Sequence, residues 1–272
     1  MKNNNRGKII LSLSIPLALL VIFSSLVGLL VPDMYSKETQ NWIIQSTGQD
    51  AIDLILITPV LLITSILAFR KSKAGFLLWG GTVFYLIYTF VIYCFSLHFN
   101  NLFVVYCITL GLSFYSFIYF LYLNLTEPID AWFNDRIPRK TTGVYFIIIA
   151  FLFYFIWLSS IIPAQLASDI PKELADTGLY TNPVHVLDLS VLLPGSFLIG
   201  LFLLKKKNMG YPFAIVMLVF FILMDITIGT LVFLMNRKGL DSDLNLLIIF
   251  SVLTLFSIYL LTGFLKNIEK NN

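Results

Sequence analysis

The chain has 272 residues, of which 58% are hydrophobic, 15% aromatic and only 12% charged, and its mean hydropathy is +0.88. A soluble domain of this size cannot bury so much apolar surface, so a soluble globular fold is excluded and an all-α integral membrane protein is expected. The net charge of +3 is small and dispersed, which gives no surface for a nucleic-acid partner.

A helix satisfies its own backbone where no water is available, and about 20 mainly apolar residues suffice to cross the hydrocarbon layer. Eight segments qualify: residues 9–31, 51–69, 75–97, 102–124, 143–163, 187–204, 211–235 and 244–265. The first has a basic lead but lacks a small-x-small cleavage site, so it reads as a retained span. Basic residues stay with cytoplasmic loops. Counted by side, 14 of the 18 Lys and Arg fall at the N-terminus, around Arg70, around Arg139, at Lys205–Lys207 and at the C-terminus (Lys266, Lys270). Both termini are therefore expected to be cytoplasmic, in a multi-pass protein of the bacterial cell membrane.

The second span opens with Asp53-Leu54, has Pro59 six residues after the acid, and runs to Arg70-Lys71. The sixth repeats this as Asp188-Leu189, Pro194 and Lys205-Lys206, 135 residues later. At the same shift Ser24-Ser25 meets Ser159-Ser160, Asp50 meets His185 and Gly75 meets Gly210. The fourth and eighth spans align once nine extra residues are allowed around Asn236 to Leu244. Two four-span units result, residues 1–134 and 135–272. Four is even, so both enter the membrane the same way round, as parallel four-helix repeats.

Acidic residues inside spans are costly, at about 2.5–3.5 kcal/mol on insertion scales, and mark sites that relieve the cost. Asp53 and Asp188 lie near the outer interface, in the first turn of a helix, where a negative charge is favoured. Asp225 in the seventh span is deeper and unmatched in the first half, where Phe90 stands at its position. It is expected to face the bundle interior. His185 precedes Asp188 by three residues and shares its helix face. Pro59 and Pro194 are expected to free the carbonyls of Ile55 and Ser190 and kink their helices beside the acids.

The other features are weaker. Trp42, Trp132 and Tyr180 read as interfacial anchors. The rings of spans three and four, such as Tyr85, Tyr88, Tyr93 and Tyr106, pack between helices or line an apolar pocket. Cys94 and Cys107 flank a short turn and read as small packing residues, with a redox pair as the alternative. Two histidines without a ligand cluster give no metal or haem centre, and there is no phosphate loop or nucleophile elbow, so no cofactor is expected.

The pattern of Ser24-Ser25, Asp33, Asp53-Leu54, Pro59 and Arg70 resembles the EXPERA family, a group of four-span membrane domains that includes a sterol isomerase. The match covers the first half well. In the second half Ser168 stands at the Asp33 position, with Asp169 one residue late. The resemblance implies a lipid-accessible cavity in which Asp33 and Asp53, and in the second half Asp188, meet a cationic or sterol-like ligand. The expected ligand-binding set is Asp33, Asp53, Asp188, His185 and Asp225. The expected partner is a membrane lipid or other hydrophobic small molecule, and homo-oligomerisation stays open. The leading reading is non-catalytic binding. An isomerase acting on a membrane-soluble alkene and a proton-coupled transporter built from the repeats, with Asp225 as coupling site, are the alternatives.

Overall fold

All eight expected spans form helices in the computed structural model, which describes residues 2–126, 128–240 and 242–269. Span 1 is Lys2–Leu30, span 2 Gln40–Phe69, span 3 Lys73–Ser96, span 4 Phe103–Thr126, span 5 Arg139–Leu166, span 6 Pro183–Leu204, span 7 Gly210–Arg237 and span 8 Asn245–Lys266. A short helix, Lys172–Thr177, lies between spans 5 and 6. No strand is present among the described residues, apart from an isolated bridge between Phe133 and Ile268. The chain is an integral, multi-pass membrane protein of all-α class. Lys270, counted above with the basic C-terminus, lies outside the described residues.

Span 2 starts well before residue 51. Thr39 caps it by accepting a hydrogen bond from the Trp42 backbone N–H at 3.3 Å, as N-cap threonines do. Its first turns are polar, yet Trp42, Ser46, Gly48 and Asp50 are buried because this stretch packs between spans 1 and 7.

Both Asp-to-Pro stretches adopt the same irregularity. Asp53–Ile57 and Asp188–Leu192 are π-helical, with the Thr58 N–H bonded to the Asp53 carbonyl and the Leu193 N–H to the Asp188 carbonyl. A proline follows at once in each case. Proline has no N–H and its ring would press on the carbonyl four residues back, so an inserted residue that widens the turn is a local solution. The expected response was a simple kink; the helix instead lets each Asp carbonyl accept from five residues ahead. Thr58 Oγ1 also donates to the Asp53 carbonyl at 2.8 Å.

Helix ends show a second pairing. Among described non-glycine residues the left-handed positions are Asp33 at φ 61°, Lys71 at 66°, Ser168 at 54° and Lys206 at 55°. After Lys71 the Ser72 N–H returns to the Leu67 carbonyl, and after Lys206 the Lys207 N–H returns to the Phe202 carbonyl. These are Schellman closures, which satisfy carbonyls that a helix end leaves bare.

Spans 3 and 7 form the centre and are the most buried of the eight. They pack on each other, span 2 packs on span 7, and span 3 packs on the start of span 6. Close approach at the centre depends on Gly81, where a Cβ would stand 2.5 Å from the Val219 Cβ and 3.1 Å from the Val216 carbonyl oxygen. Small residues are how membrane helices come this near. At one end of the bundle the N-terminal, linker and C-terminal segments converge: Arg6 lies 4.2 Å from the Phe76 ring centroid and 5.5 Å from that of Trp132, and Lys73 Nζ donates to the Glu269 carbonyl at 3.0 Å. At the opposite end Glu38 accepts from the His98 backbone N–H at 2.7 Å.

Gly81→Val is expected to lower stability in detergent by about 1–3 kcal/mol, the usual cost of overpacking. Gly111→Val, where a Cβ meets nothing within 4 Å, is the matched control and should unfold like the parent in a thermal melt.

Candidate functional site

The start of span 6 builds the site. Asn182 accepts a hydrogen bond from the Val184 N–H at 2.9 Å, and Pro183 occupies the first turn, where its missing N–H costs nothing. One turn on, the π-helical segment turns the Asp188 carboxylate into the protein. It accepts from the Tyr88 hydroxyl at 2.9 Å and from Trp157 Nε1 at 2.8 Å. Spans 3, 5 and 6 thus meet at one carboxylate, which is 5% exposed. The Trp157 ring also lies 4.5 Å, centroid to centroid, from the ring of His185.

A cavity of about 630 Å³ opens beside this cluster, within the usual size range of small-molecule pockets. Aromatic walls come from Tyr88, Tyr145, Trp157, Phe220 and Phe221, and aliphatic ones from spans 5, 7 and 8. Asp188, His185, Asp225, Trp42 and Glu173 supply polar groups, and no Lys or Arg lines it among the described residues. Glu173, in the short Lys172–Thr177 helix, accepts from Ser160 Oγ at 3.0 Å. That helix is tied to the first half where Thr39 Oγ1 donates to the carbonyl oxygens of Asp176 at 3.3 Å and Thr177 at 3.2 Å.

Three polar atoms in this wall are buried without a partner: Asp225 Oδ2, His185 Nε2 and Trp42 Nε1. Such groups are uncommon, because each forfeits the hydrogen bonds it would make in water. Asp225 and Phe250 also border a second cavity of about 630 Å³, an open groove between spans 7 and 8.

The first-half acids are handled differently. Asp53 is 1% exposed and accepts from Gln49 Nε2 at 2.8 Å. Gln49 Nε2 also donates to the Tyr85 hydroxyl at 3.0 Å, which pairs with Thr227 Oγ1 at 2.8 Å. Asp50 accepts from the Tyr35 hydroxyl at 2.7 Å and the Tyr93 hydroxyl at 2.8 Å. Gly28 leaves room for this pair, since a Cβ there would fall 1.9 Å from Asp50 Oδ2.

Of the five expected site residues, Asp188, His185 and Asp225 line the cavity. Asp53 is outside its lining, although its donor Gln49 and the Tyr85 partner Thr227 both reach the cavity wall, and its Oδ2 is buried without a partner. Asp33 is exposed in the turn after span 1, where a left-handed backbone ends the helix, so the expected pairing of Asp33 with Asp53 across a cavity does not form. The acid beside Asp53 is Asp50. Trp42, expected as an interfacial anchor, is 8% exposed and faces the cavity. Trp157 and Gln49 were not singled out by sequence. One signal pointed toward the polar pair: Asp50 and His185 occupy the same place three residues before the repeated Asp. Cys94 and Cys107 are free thiols, and no group of residues able to hold a metal occurs among the described residues.

Comparison of the chain with family models, with characterised proteins and with solved structures gives no match.

Asp53→Ala and Asp33→Ala separate the two acids. Removing Asp53 leaves one of the two Gln49 amide hydrogens without its acceptor and should cost about 1–3 kcal/mol. The exposed Asp33 should stay within about 0.5 kcal/mol of the parent. Chemical denaturation in a fixed detergent measures both.

Proposed function

We propose that this chain binds a lipid-like, cationic amphiphile in the cavity between its second half and spans 2 and 3. The observation that carries the reading is Asp225. It is 7% exposed, its Oδ2 has no partner, and it borders an aromatic, apolar cavity that no Lys or Arg lines among the described residues. A carboxylate there is a counter-ion for a positive group whose apolar body fills the rest, and aromatic faces add attraction for the same charge. The neighbouring groove between spans 7 and 8 shares Asp225 and Phe250 with the cavity and gives a path from the bilayer.

The same proposal includes two parallel four-span repeats of EXPERA-like character, with both termini cytoplasmic. Support comes from the π-helical turns and left-handed residues that recur 135 residues apart, and from the central pairing of spans 3 and 7, which occupy the same place in each half.

Purified protein in lipid nanodiscs should bind a fluorescent long-chain amine saturably. Asp225→Asn is expected to weaken binding at least tenfold, about 1.4 kcal/mol, and Asp33→Asn to leave it unchanged. Absence of saturable binding, or equal affinity in the Asp225→Asn protein, removes the proposal.

A further inference from the structure

We infer that the cavity's ligand is bifunctional, with a basic nitrogen held at Asp225 and an oxygen acceptor held at Trp42 and His185 on the other side of an apolar stretch. The inference rests on the cavity reading above and deepens it by naming the ligand's second group.

Three buried atoms in one cavity wall lack partners, and their chemistries differ. An indole N–H can only donate, so Trp42 Nε1 calls for an acceptor. A carboxylate oxygen can only accept while ionised, so Asp225 Oδ2 calls for a donor or a cation. An imidazole nitrogen serves in either sense, which lets His185 Nε2 share the group that Trp42 binds. A simple amine would satisfy Asp225 and leave the indole bare. A neutral alcohol would do the reverse.

The groups are also separated. Trp42 and His185 sit in the first turns of spans 2 and 6, whereas Asp225 lies near the middle of span 7. Hydrogen bonds place them on one scale. Asp188, one turn past His185, is bonded to Tyr88. Thr227, two residues past Asp225, is bonded to Tyr85, one turn further from the His185 end of the bundle. At the helical rise, these steps separate His185 from Asp225 by on the order of 10 Å. The wall between them is apolar, with Ile228, Leu231 and Val232 following Asp225 along span 7 toward the His185 end. Other residues already satisfy Asp188: Tyr88 and Trp157 take up its two oxygens. The ligand class is therefore an amino alcohol, amino ether or amino ketone with a mid-length apolar spacer.

The test uses the full chain in detergent, with octylamine and 8-amino-1-octanol competing against the fluorescent long-chain amine. The amino alcohol is expected to bind about tenfold more tightly than octylamine, although its hydroxyl lowers its hydrophobicity. Trp42→Phe and His185→Phe keep the rings and remove the polar atoms, and together they should bring the ratio of the two affinities close to one. Thermal unfolding confirms that the variants fold. Equal affinity of the two probes for the parent, or an advantage that survives both substitutions, overturns the inference while leaving amine binding in place. Failure of octylamine itself to compete overturns the cavity reading and this inference together.

Discussion

Inside a membrane a polar atom finds its partner within the protein or goes without, and the interior of this protein is arranged around that constraint. The backbone meets it through helices and, where Pro59 and Pro194 withdraw a donor, through π-helical turns that let the Asp53 and Asp188 carbonyls accept from a residue further on. Side chains meet it through tyrosines, Gln49 and Trp157, which reach across helix boundaries to the carboxylates of Asp50, Asp53 and Asp188. Most such bonds also hold two helices together, because acid and donor come from different spans except for Gln49, on the same span as Asp53, and Tyr35, in the turn before span 2. Measured membrane hydrogen bonds average only about 0.6 kcal/mol, so their larger effect is to fix which helix faces meet.

Much of the architecture was visible in the sequence because hydropathy alone identifies eight apolar runs, and hydrocarbon admits no other regular solution for them than helix. The start of span 2 was hidden by its own composition. Gln45, Ser46, Gln49 and Asp50 read as a loop, and only burial against spans 1 and 7 makes them helix interior. The candidate site was partly visible. Asp188 and Asp225 were found because charge within a span is rare, and His185 because it stands three residues before Asp188. Asp33 was placed by spacing from the serine pair, but spacing says nothing of direction, and the left-handed turn at that residue leaves it exposed. Trp42 was read as an anchor because tryptophan at a span's end commonly is one. Its indole faces inward because Thr39 starts the helix early enough to carry it past the interface.

At the 135-residue shift the two repeated acids have different surroundings. The first-half Asp53 is surrounded by hydrogen-bonding residues, Gln49 and Tyr85, whose counterparts at the 135-residue shift are Val184 and Phe220. Asp50, held by two tyrosines, is replaced by His185. The Asp53 carboxylate accepts from Gln49 and its Oδ2 is buried without a partner, whereas both oxygens of Asp188 are bonded, one of them by Trp157 of the same half. The second acid then borrows a donor from the first half, Tyr88, whose own counterpart is Leu223.

The cavity borders Asp188 directly and meets the Asp53 network at Gln49 and Thr227. The two donors of Asp188 reach in from spans 3 and 5, so the bonded carboxylate forms part of the wall of that space. The space left is lined by Phe220 and Phe221 on span 7 and opens toward Asp225. Asp225 has no equivalent in the first half, where Phe90 fills its position and stacks on Tyr93 with ring centroids 5.4 Å apart. Asp225, with no carboxylate at the matching first-half position, thus lies where the packing leaves room for something other than protein.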